Sequence, residues 1–160
     1  MAIKEGDKIP AVKLQHKTAD GIKDVDAAEL FAGKKAVLFA LPGAFTPTCS
    51  AKHLPGFVDK IDQLKAKGVQ VVACLSVNDA FVMDAWGKNQ NVGDNVLMLA
   101  DGNAELTKAL GLEMDGSGYG MGTRSRRYSM LVDSGVVKQL NVEKPGAFEV
   151  SNAETMLKQI

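Results

Sequence analysis

Residues 36–57 read AVLFALPGAFTPTCSAKHLPGF, and this stretch decides the fold because an apolar strand pattern turns into a helix start within it. The apolar run, residues 35–41 with Lys35 included, is typical of a strand buried on both faces of a sheet. Thr46-Pro47 then predicts a helix N-terminus, with Thr46 as the N-cap and proline at the first helical position. Cys49 therefore falls in the first turn of a helix that follows a buried strand.

The same alternation of strand and helix continues along the chain. Apolar runs predict further strands at residues 69–76 and 96–100, and apolar positions at helical spacing predict three helices, at residues 54–67, 79–89 and 103–110. We therefore expect an α/β fold in which a mixed central sheet is flanked by helices on both faces.

The C-terminal third carries a hairpin signal. Asp133-Ser134-Gly135 separates two strand patterns, residues 126–132 and 136–142, and is typical of a short hairpin loop. Ser151 with Glu154 three residues later predicts a capping box at the last helix. This order is compatible with a thioredoxin-like domain, whereas the hairpin argues against a flavodoxin-like sheet. The glycine-rich residues 113–123 fit no phosphate-binding motif and are predicted to form a surface loop.

The length and charge of the chain limit its domain number, its binding partners and its location. The 160 residues predict one domain, residues 1–160. Nineteen basic and nineteen acidic residues balance, so neither a nucleic-acid surface nor a membrane anchor is expected. No apolar stretch is long enough to span a membrane, and the start, MAIKEGDKIP, has no signal-peptide core. These features predict a cytoplasmic protein, with an organellar site as the alternative if a targeting segment had been removed.

Cys49 and Cys74 are the two cysteines. Free amides and the helix dipole in a first turn favour a thiolate, which makes Cys49 a candidate nucleophile; a small buried hydrophobic residue is the alternative, and the residues alone do not separate the two. Cys74 lies within an apolar run and is predicted to be packed and inert, with a disulfide to Cys49 as the alternative. The two form no Cys-x-x-Cys pair, and nothing groups with them as a zinc site would.

Other side chains could serve the thiolate. In the segment Arg124–Tyr128, strand alternation sends Arg126 and Arg127 to opposite faces, so one arginine is expected to point inward and to need an anion. His53 follows Cys49 by one helical turn and could act as a base or hydrogen-bond near the sulfur; a surface histidine is the alternative.

Trp86 and Phe81 could form an apolar contact surface, although core packing is the default.

These segments together resemble the peroxiredoxins, most closely the type II, or peroxiredoxin-five-like, subfamily. The resemblance rests on PGAFTPTCS at 42–50 with HLPGF at 53–57, and it continues through residues 69–81, 85–87 and 124–130. It implies a thioredoxin-like fold with peroxiredoxin insertions. It also implies a thiol peroxidase that reduces hydrogen peroxide and alkyl hydroperoxides without a metal or flavin cofactor.

The resemblance assigns roles residue by residue. Cys49 matches the peroxidatic cysteine, and Thr46 matches the threonine that orients the peroxide. Pro42 matches the proline that shields the sulfur, and Arg127 matches the arginine that holds thiolate and peroxide. Gly43 falls where a backbone amide would contact substrate.

His53 is predicted to complete the substrate-binding group. The chain departs from some relatives because residues 148–151 contain no resolving cysteine. We therefore predict a one-cysteine mechanism in which an external thiol, namely glutathione, glutaredoxin or thioredoxin, reduces the oxidised cysteine, with the glutathione and glutaredoxin route favoured. The resemblance further implies a homodimer packed through loops near the active site. A redox sensor that uses the same thiolate is the competing hypothesis, and the missing Cys-x-x-Cys disfavours a disulfide oxidoreductase.

Overall fold

The computed structural model describes residues 2–160 and contains a seven-stranded mixed sheet. Its strands are Lys13–Thr18 (β1), Gly21–Asp26 (β2), Lys35–Ala40 (β3), Val71–Ser76 (β4), Leu97–Ala100 (β5), Tyr128–Asp133 (β8) and Val136–Val142 (β9). They lie in the order β2-β1-β5-β4-β3-β8-β9. The neighbours β3, β4 and β5 run parallel and the other pairs antiparallel. The predicted mixed central sheet is thereby confirmed.

Helices cover both faces of this sheet, as predicted. They are Ala27–Phe31 (α1), Leu54–Asp59 (α2), Ile61–Ala66 (α3), Ala80–Asn89 (α4), Glu105–Ala109 (α5) and Ala153–Gln159 (α6). The helices α2, α3, α4 and α6 pack on the face that holds Phe39 and Cys74, and α1 and α5 pack on the opposite face. Phe39 stacks on Phe57 at 4.2 Å between ring centroids. Each such buried side chain contributes about 1.5–3 kcal/mol to stability.

The three parallel strands and the hairpin follow the sequence pattern to within two residues at most ends. The turn Ser134-Gly135 has positive φ at both residues, 51° and 81°, which suits the twist of a two-residue hairpin. The strand predicted from residue 126 begins instead at Tyr128. Arg126 and Arg127, the first two residues of the predicted strand, make other backbone hydrogen bonds. The Arg126 amide donates to the Leu112 carbonyl, and the Arg127 carbonyl accepts from the Glu143 amide.

Two helix predictions are corrected. The helix predicted over residues 54–67 is divided at Lys60, whose backbone leaves the helical region (φ −101°, ψ 8°) and bonds back to Phe57. The predicted capping box at Ser151 is wrong. Asn152 is the N-cap of α6 and accepts from the Thr155 amide at 2.8 Å, while Ser151 donates both its amide and its hydroxyl to Glu143.

The sequence reading missed several peripheral elements. Residues 113–123, predicted to be a surface loop, form most of a small hairpin of two strands, Glu113–Asp115 (β6) and Thr123–Ser125 (β7), joined through a 3₁₀ turn. The strands β1 and β2 and helix α1 were also missed, since KLQHKT and GIKDVD are mostly polar. Within residues 2–160, every helix is too short or too polar to cross a membrane.

Candidate active site

Cys49 lies in the first turn of a helix, where the Thr46-Pro47 signal predicts it. The helix opens at Pro47, the Ser50 amide donates to the Thr46 carbonyl at 2.9 Å, and Cys49 is the third helical residue. From Cys49 to His53 the helix widens to π geometry, with the Leu54 amide bonding to the Cys49 carbonyl. The Cys49 side chain is fully buried. First-turn amides have no helical acceptor, so they present partial positive charge to a group placed here.

Arg127 is the arginine that points inward. Its Nη2 donates to Cys49 Sγ at 3.2 Å, across 78 positions of sequence. A guanidinium at this distance supplies both a full positive charge and a directed donor to the sulfur. The sequence-predicted pair of Cys49 and Arg127 is therefore brought into direct contact.

His53 holds Arg127 in place. Its Nε2 lies 3.0 Å from the Ser151 carbonyl and its Nδ1 lies 2.9 Å from Arg127 Nη1. A carbonyl only accepts, so the proton resides on Nε2 and Nδ1 accepts from the guanidinium. Burial, and then the positive charge of Arg127, lower the pKa of His53 to about 3. Both ring nitrogens are engaged and the side chain is buried, so His53 is placed to position Arg127, and its predicted substrate-binding role stays a prediction.

Glu143 fixes the segment that carries the Ser151 carbonyl, and the sequence reading missed it. Its buried carboxylate accepts from the amides of Glu149, Val150 and Ser151 at 2.8–3.0 Å and from the Ser151 hydroxyl at 2.7 Å. Burial by itself raises the pKa of Glu143, but the hydrogen bonds from Ser151, Glu149 and Val150 together lower it below its ordinary value. A chain of contacts thus links Glu143, through Ser151 and His53, to Arg127.

The Phe148 ring packs against both Arg127 and His53. The guanidinium carbon of Arg127 lies 5.7 Å from the Phe148 ring centroid, and the rings of His53 and Phe148 are 5.1 Å apart. The arginine is therefore held by a hydrogen bond on one side and a cation–π contact on another.

The loop before Cys49 is braced by two side chains that no motif indicated. Arg124 Nη1 donates to the Pro42 carbonyl at 3.2 Å, and Asn78 Oδ1 accepts from the Ala44 amide at 3.0 Å. At Gly43 a Cβ would stand 2.6 Å from Arg124 Nη1, so glycine permits this close approach. The Thr46 hydroxyl donates to the Gly43 carbonyl at 2.7 Å rather than to the sulfur, and its oxygen lone pairs can accept from a ligand.

A cavity of about 340 Å³ is lined by Pro42, Thr48, Arg126, Arg127 and Lys144, among other residues. Its size is in the range of small-molecule sites. Pro42 is thus part of the cavity wall, and its role in shielding the sulfur stays a prediction.

Cys74 is packed and unreactive. It pairs with Phe39 across β3 and β4, and it is fully buried. Burial, and then the neighbouring Cys49 sulfur, raise the pKa of Cys74 well above its usual value. Both cysteines are free thiols. Among residues 2–160, no three or more His, Cys, Asp or Glu side chains group as metal ligands would.

Comparison with known proteins assigns the family. Residues 4–157 match the Redoxin family. The chain is 61% identical over 160 residues to peroxiredoxin-2E-2, chloroplastic, of Oryza sativa subsp. japonica, covering 97% of this chain and 71% of that protein. The chain belongs to the peroxiredoxins.

Further comparisons agree with the subfamily. Peroxiredoxin-2E, chloroplastic, of Arabidopsis thaliana is 54% identical over 164 residues, covering 99% of this peroxiredoxin and 70% of the Arabidopsis protein. The crystal structure of reduced Prx3 from Vibrio vulnificus in complex with H₂O₂ superposes with a TM-score of 0.95 at 59% identity, covering 98% of each chain. The predicted type II resemblance, thioredoxin-like fold and thiol peroxidase class are confirmed.

Proposed function

We propose that this peroxiredoxin reduces hydrogen peroxide and alkyl hydroperoxides through Cys49, by a one-cysteine mechanism. The observation that carries the proposal is the 3.2 Å contact from Arg127 to Cys49 Sγ, with Arg127 itself fixed by His53. A buried thiolate beside a preorganised cation is suited to attack a small neutral oxidant.

In the oxidation step the Cys49 thiolate attacks one peroxide oxygen. An S–O bond forms and the O–O bond breaks, so the cysteine becomes a sulfenic acid. The departing oxygen leaves with the bonding electrons and takes a proton from solvent, giving water or an alcohol. Arg127 lies where it can stabilise the developing negative charge, and one such donor is typically worth about 3 kcal/mol of barrier. Thr46 accepts from the peroxide hydroxyl, Gly43 supplies a backbone contact and Pro42 excludes bulk water.

In the resolving step an external thiol reduces the sulfenic acid. The buried Cys74 is a poor resolving group, because its raised pKa disfavours the thiolate that would have to attack. The thiol therefore condenses with the Cys49 sulfenic acid to a mixed disulfide with loss of water, and a second thiol releases Cys49. We propose glutathione with glutaredoxin as this reductant, with thioredoxin as the alternative.

The assembly and compartment belong to the same proposal. We propose a homodimer. The cytoplasmic location stays a prediction, because the rice and Arabidopsis relatives are named chloroplastic. Microscopy of a fluorescent fusion of the full-length gene product tests it, and a plastid signal would overturn the cytoplasmic location.

The mechanism is tested with two matched serine variants. Stopped-flow measurement should show that Cys49→Ser no longer reacts with hydrogen peroxide, whereas Cys74→Ser keeps most of the activity. Mass analysis of the oxidised wild type with glutathione should find a mixed disulfide on Cys49. A Cys49–Cys74 bridge would overturn the one-cysteine mechanism, and a protein that oxidises once and then stalls with glutathione and glutaredoxin would indicate a sensor.

A further inference from the structure

We propose that the cavity beside Cys49 is a binding subsite for a small thiol that carries carboxylates, with Arg126 and Lys144 as its carboxylate-binding residues. The proposal rests on the proposed peroxidase function and names the chemistry of its reductant. It follows from the position of the cavity, its charge and the demands of the resolving step.

The position of the cavity is the first argument. Thr48, which lines the cavity, immediately precedes Cys49, and Arg127, which also lines it, donates to Cys49 Sγ. Arg126 and Lys144 line the same cavity. The volume of about 340 Å³ suits a molecule of tripeptide size, whereas hydrogen peroxide would fill a small fraction of it. A ligand seated here would therefore contact residues that adjoin Cys49 as well as the two cations.

The charge of the cavity is the second argument. In the part of the chain that the structure describes, the four ion pairs involve other residues and leave Arg126, Arg127 and Lys144 without a carboxylate partner. Arg126 Nη2 donates to the Glu143 main-chain carbonyl at 3.2 Å. The Glu143 carboxylate also borders the cavity, but the amides of residues 149–151 engage it. Three cations thus border one space.

Glu113 is the remaining carboxylate in the lining, and it is exposed. A ligand with two carboxylates and one ammonium would therefore place its negative groups at Arg126 and Lys144 and its ammonium at Glu113. Glutathione has this pattern of charge in addition to a thiol, and it is the probe we choose.

The resolving step supplies the third argument. The oxidant is neutral and gains nothing from distant cations, but the thiol must come from solvent and be oriented against the Cys49 sulfenic acid. The thiol sulfur bonds to Cys49 Sγ, the S–O bond breaks and water leaves. A second thiol then attacks the bound thiol's sulfur, so that one disulfide and the Cys49 thiolate are released and two thiols are oxidised per peroxide.

The experiment compares thiols that differ in charge. Full-length protein is oxidised with one equivalent of hydrogen peroxide, and the second-order rate constant of sulfenic acid reduction is measured with glutathione, glutathione diethyl ester and 2-mercaptoethanol. The rate constant with glutathione divided by that with its diethyl ester should exceed one in the wild type. It should fall about threefold in Lys144→Gln and about tenfold in the half-buried Arg126→Gln. Lys138→Gln, an exposed lysine on β9 outside the cavity, is the matched control and should keep the wild-type ratio.

Arg126→Lys separates charge from packing, because it keeps the cation and should restore most of the ratio. If Arg126→Gln does not fold, the ratio measured for Lys144→Gln, a change at an exposed residue, tests the proposal by itself. Equal ratios in wild type, Lys144→Gln and control, with normal oxidation of Cys49, would overturn the subsite alone. A wild type that hydrogen peroxide does not oxidise would overturn the proposed function. A further outcome is that the Lys144→Gln and Arg126→Gln variants instead lose a preference for a carboxylate-bearing hydroperoxide in the oxidation step while keeping the wild-type ratio of thiol rate constants. That result would assign the cavity to the oxidant and overturn the proposal.

Discussion

At the scale of single residues, the site depends on a histidine that never needs to touch substrate. His53 is neutral and keeps one tautomer, because its Nε2 proton is donated to the Ser151 carbonyl and Arg127 fills Nδ1. A guanidinium has five N–H donors, and an acceptor at a fixed place selects which of them faces the sulfur. The direction of Arg127 is thus set by its neighbour as well as by its own backbone.

Replacing His53 by phenylalanine should slow oxidation of Cys49 by hydrogen peroxide about tenfold, because Arg127 loses its acceptor while the ring volume is kept. His53→Asn, which can place an oxygen near the Nδ1 position, should recover part of the rate. Stopped-flow rates across pH 6–8 test both. Equal rates in the phenylalanine and asparagine variants would show that His53 serves packing alone.

Much of the site is local in sequence, and that part could be predicted. Thr46-Pro47 fixes the helix start and therefore the turn in which Cys49 lies. The pairing of Arg127 with His53 could not be predicted from the residues, because the two lie 74 positions apart and meet only when β8 packs beside β3. Strand alternation indicated that one arginine turns inward, but not what would hold it.

At the scale of elements, the segment between β9 and α6 is the least regular part of the site and among the most constrained. Glu143 Oε2 accepts from the amides of residues 149–151 and from the Ser151 hydroxyl, in place of a secondary-structure ladder. A capping signal in the sequence pointed to Ser151, but the Ser151 hydroxyl donates to the Glu143 carboxylate eight residues earlier, and Asn152 accepts from the helix amide instead. Local capping rules do not take account of a buried carboxylate outside the helix, such as that of Glu143 just after β9.

Glu143→Gln should lower the free energy of unfolding by about 3 kcal/mol, because an amide nitrogen would replace an oxygen that faces several donors. It should also slow peroxide oxidation, since the Ser151 carbonyl loses its fixed position. Urea unfolding at pH 7 measures the first effect. The matched control is Glu154→Gln, an exposed first-turn residue of α6, for which we expect a change below about 0.5 kcal/mol. Similar losses in both variants would contradict the role of Glu143.

At the scale of the whole molecule, stability should depend on pH through His53. Its pKa is lowered from 6.5 to about 3 in the folded protein, so the unfolded chain binds a proton that the folded chain refuses. The stability it contributes is complete above pH 6.5 and is lost as the pH falls toward 3, at up to about 1.4 kcal/mol per pH unit. Glu143, whose pKa is also lowered, adds to the loss only in the acidic range of carboxyl groups.

Urea midpoints measured between pH 7 and 5 should therefore fall in the wild type and fall less steeply in His53→Phe. His16, whose pKa burial also lowers, adds a smaller slope that both proteins share. Parallel slopes for wild type and variant would mean that His53 is not the neutral, buried group described above.

The two edges of the sheet bear on how the molecule associates. Edge strand β2 exposes Lys23 and Asp24, and edge strand β9 exposes Lys138, so charge discourages pairing of sheets edge to edge. Apolar exposure lies elsewhere, at Phe45, which is 52% exposed, and Phe81, which is 65% exposed. Trp86, predicted as a possible contact residue, is buried in the core and donates to Ser50.

The proposed homodimer should therefore weaken in Phe45→Glu and in Phe81→Glu, by at least about tenfold in dissociation constant. Sedimentation velocity over a range of concentrations measures it. Tyr119→Glu, on the exposed turn between β6 and β7, is the control and should leave the dimer intact. A dimer that only the Tyr119 variant disrupts would move the interface to the β6–β7 hairpin.

The complete burial of Cys49 has a kinetic consequence. Since the sulfur presents no surface to solvent, every reagent, small or large, must wait for the turn that contains it to open. At high reagent concentration the opening of this turn becomes the rate-limiting step. Chemically unrelated thiols should then approach one common maximum rate. Such a common maximum rate would be set by the opening of this turn and not by the chemistry of the thiol.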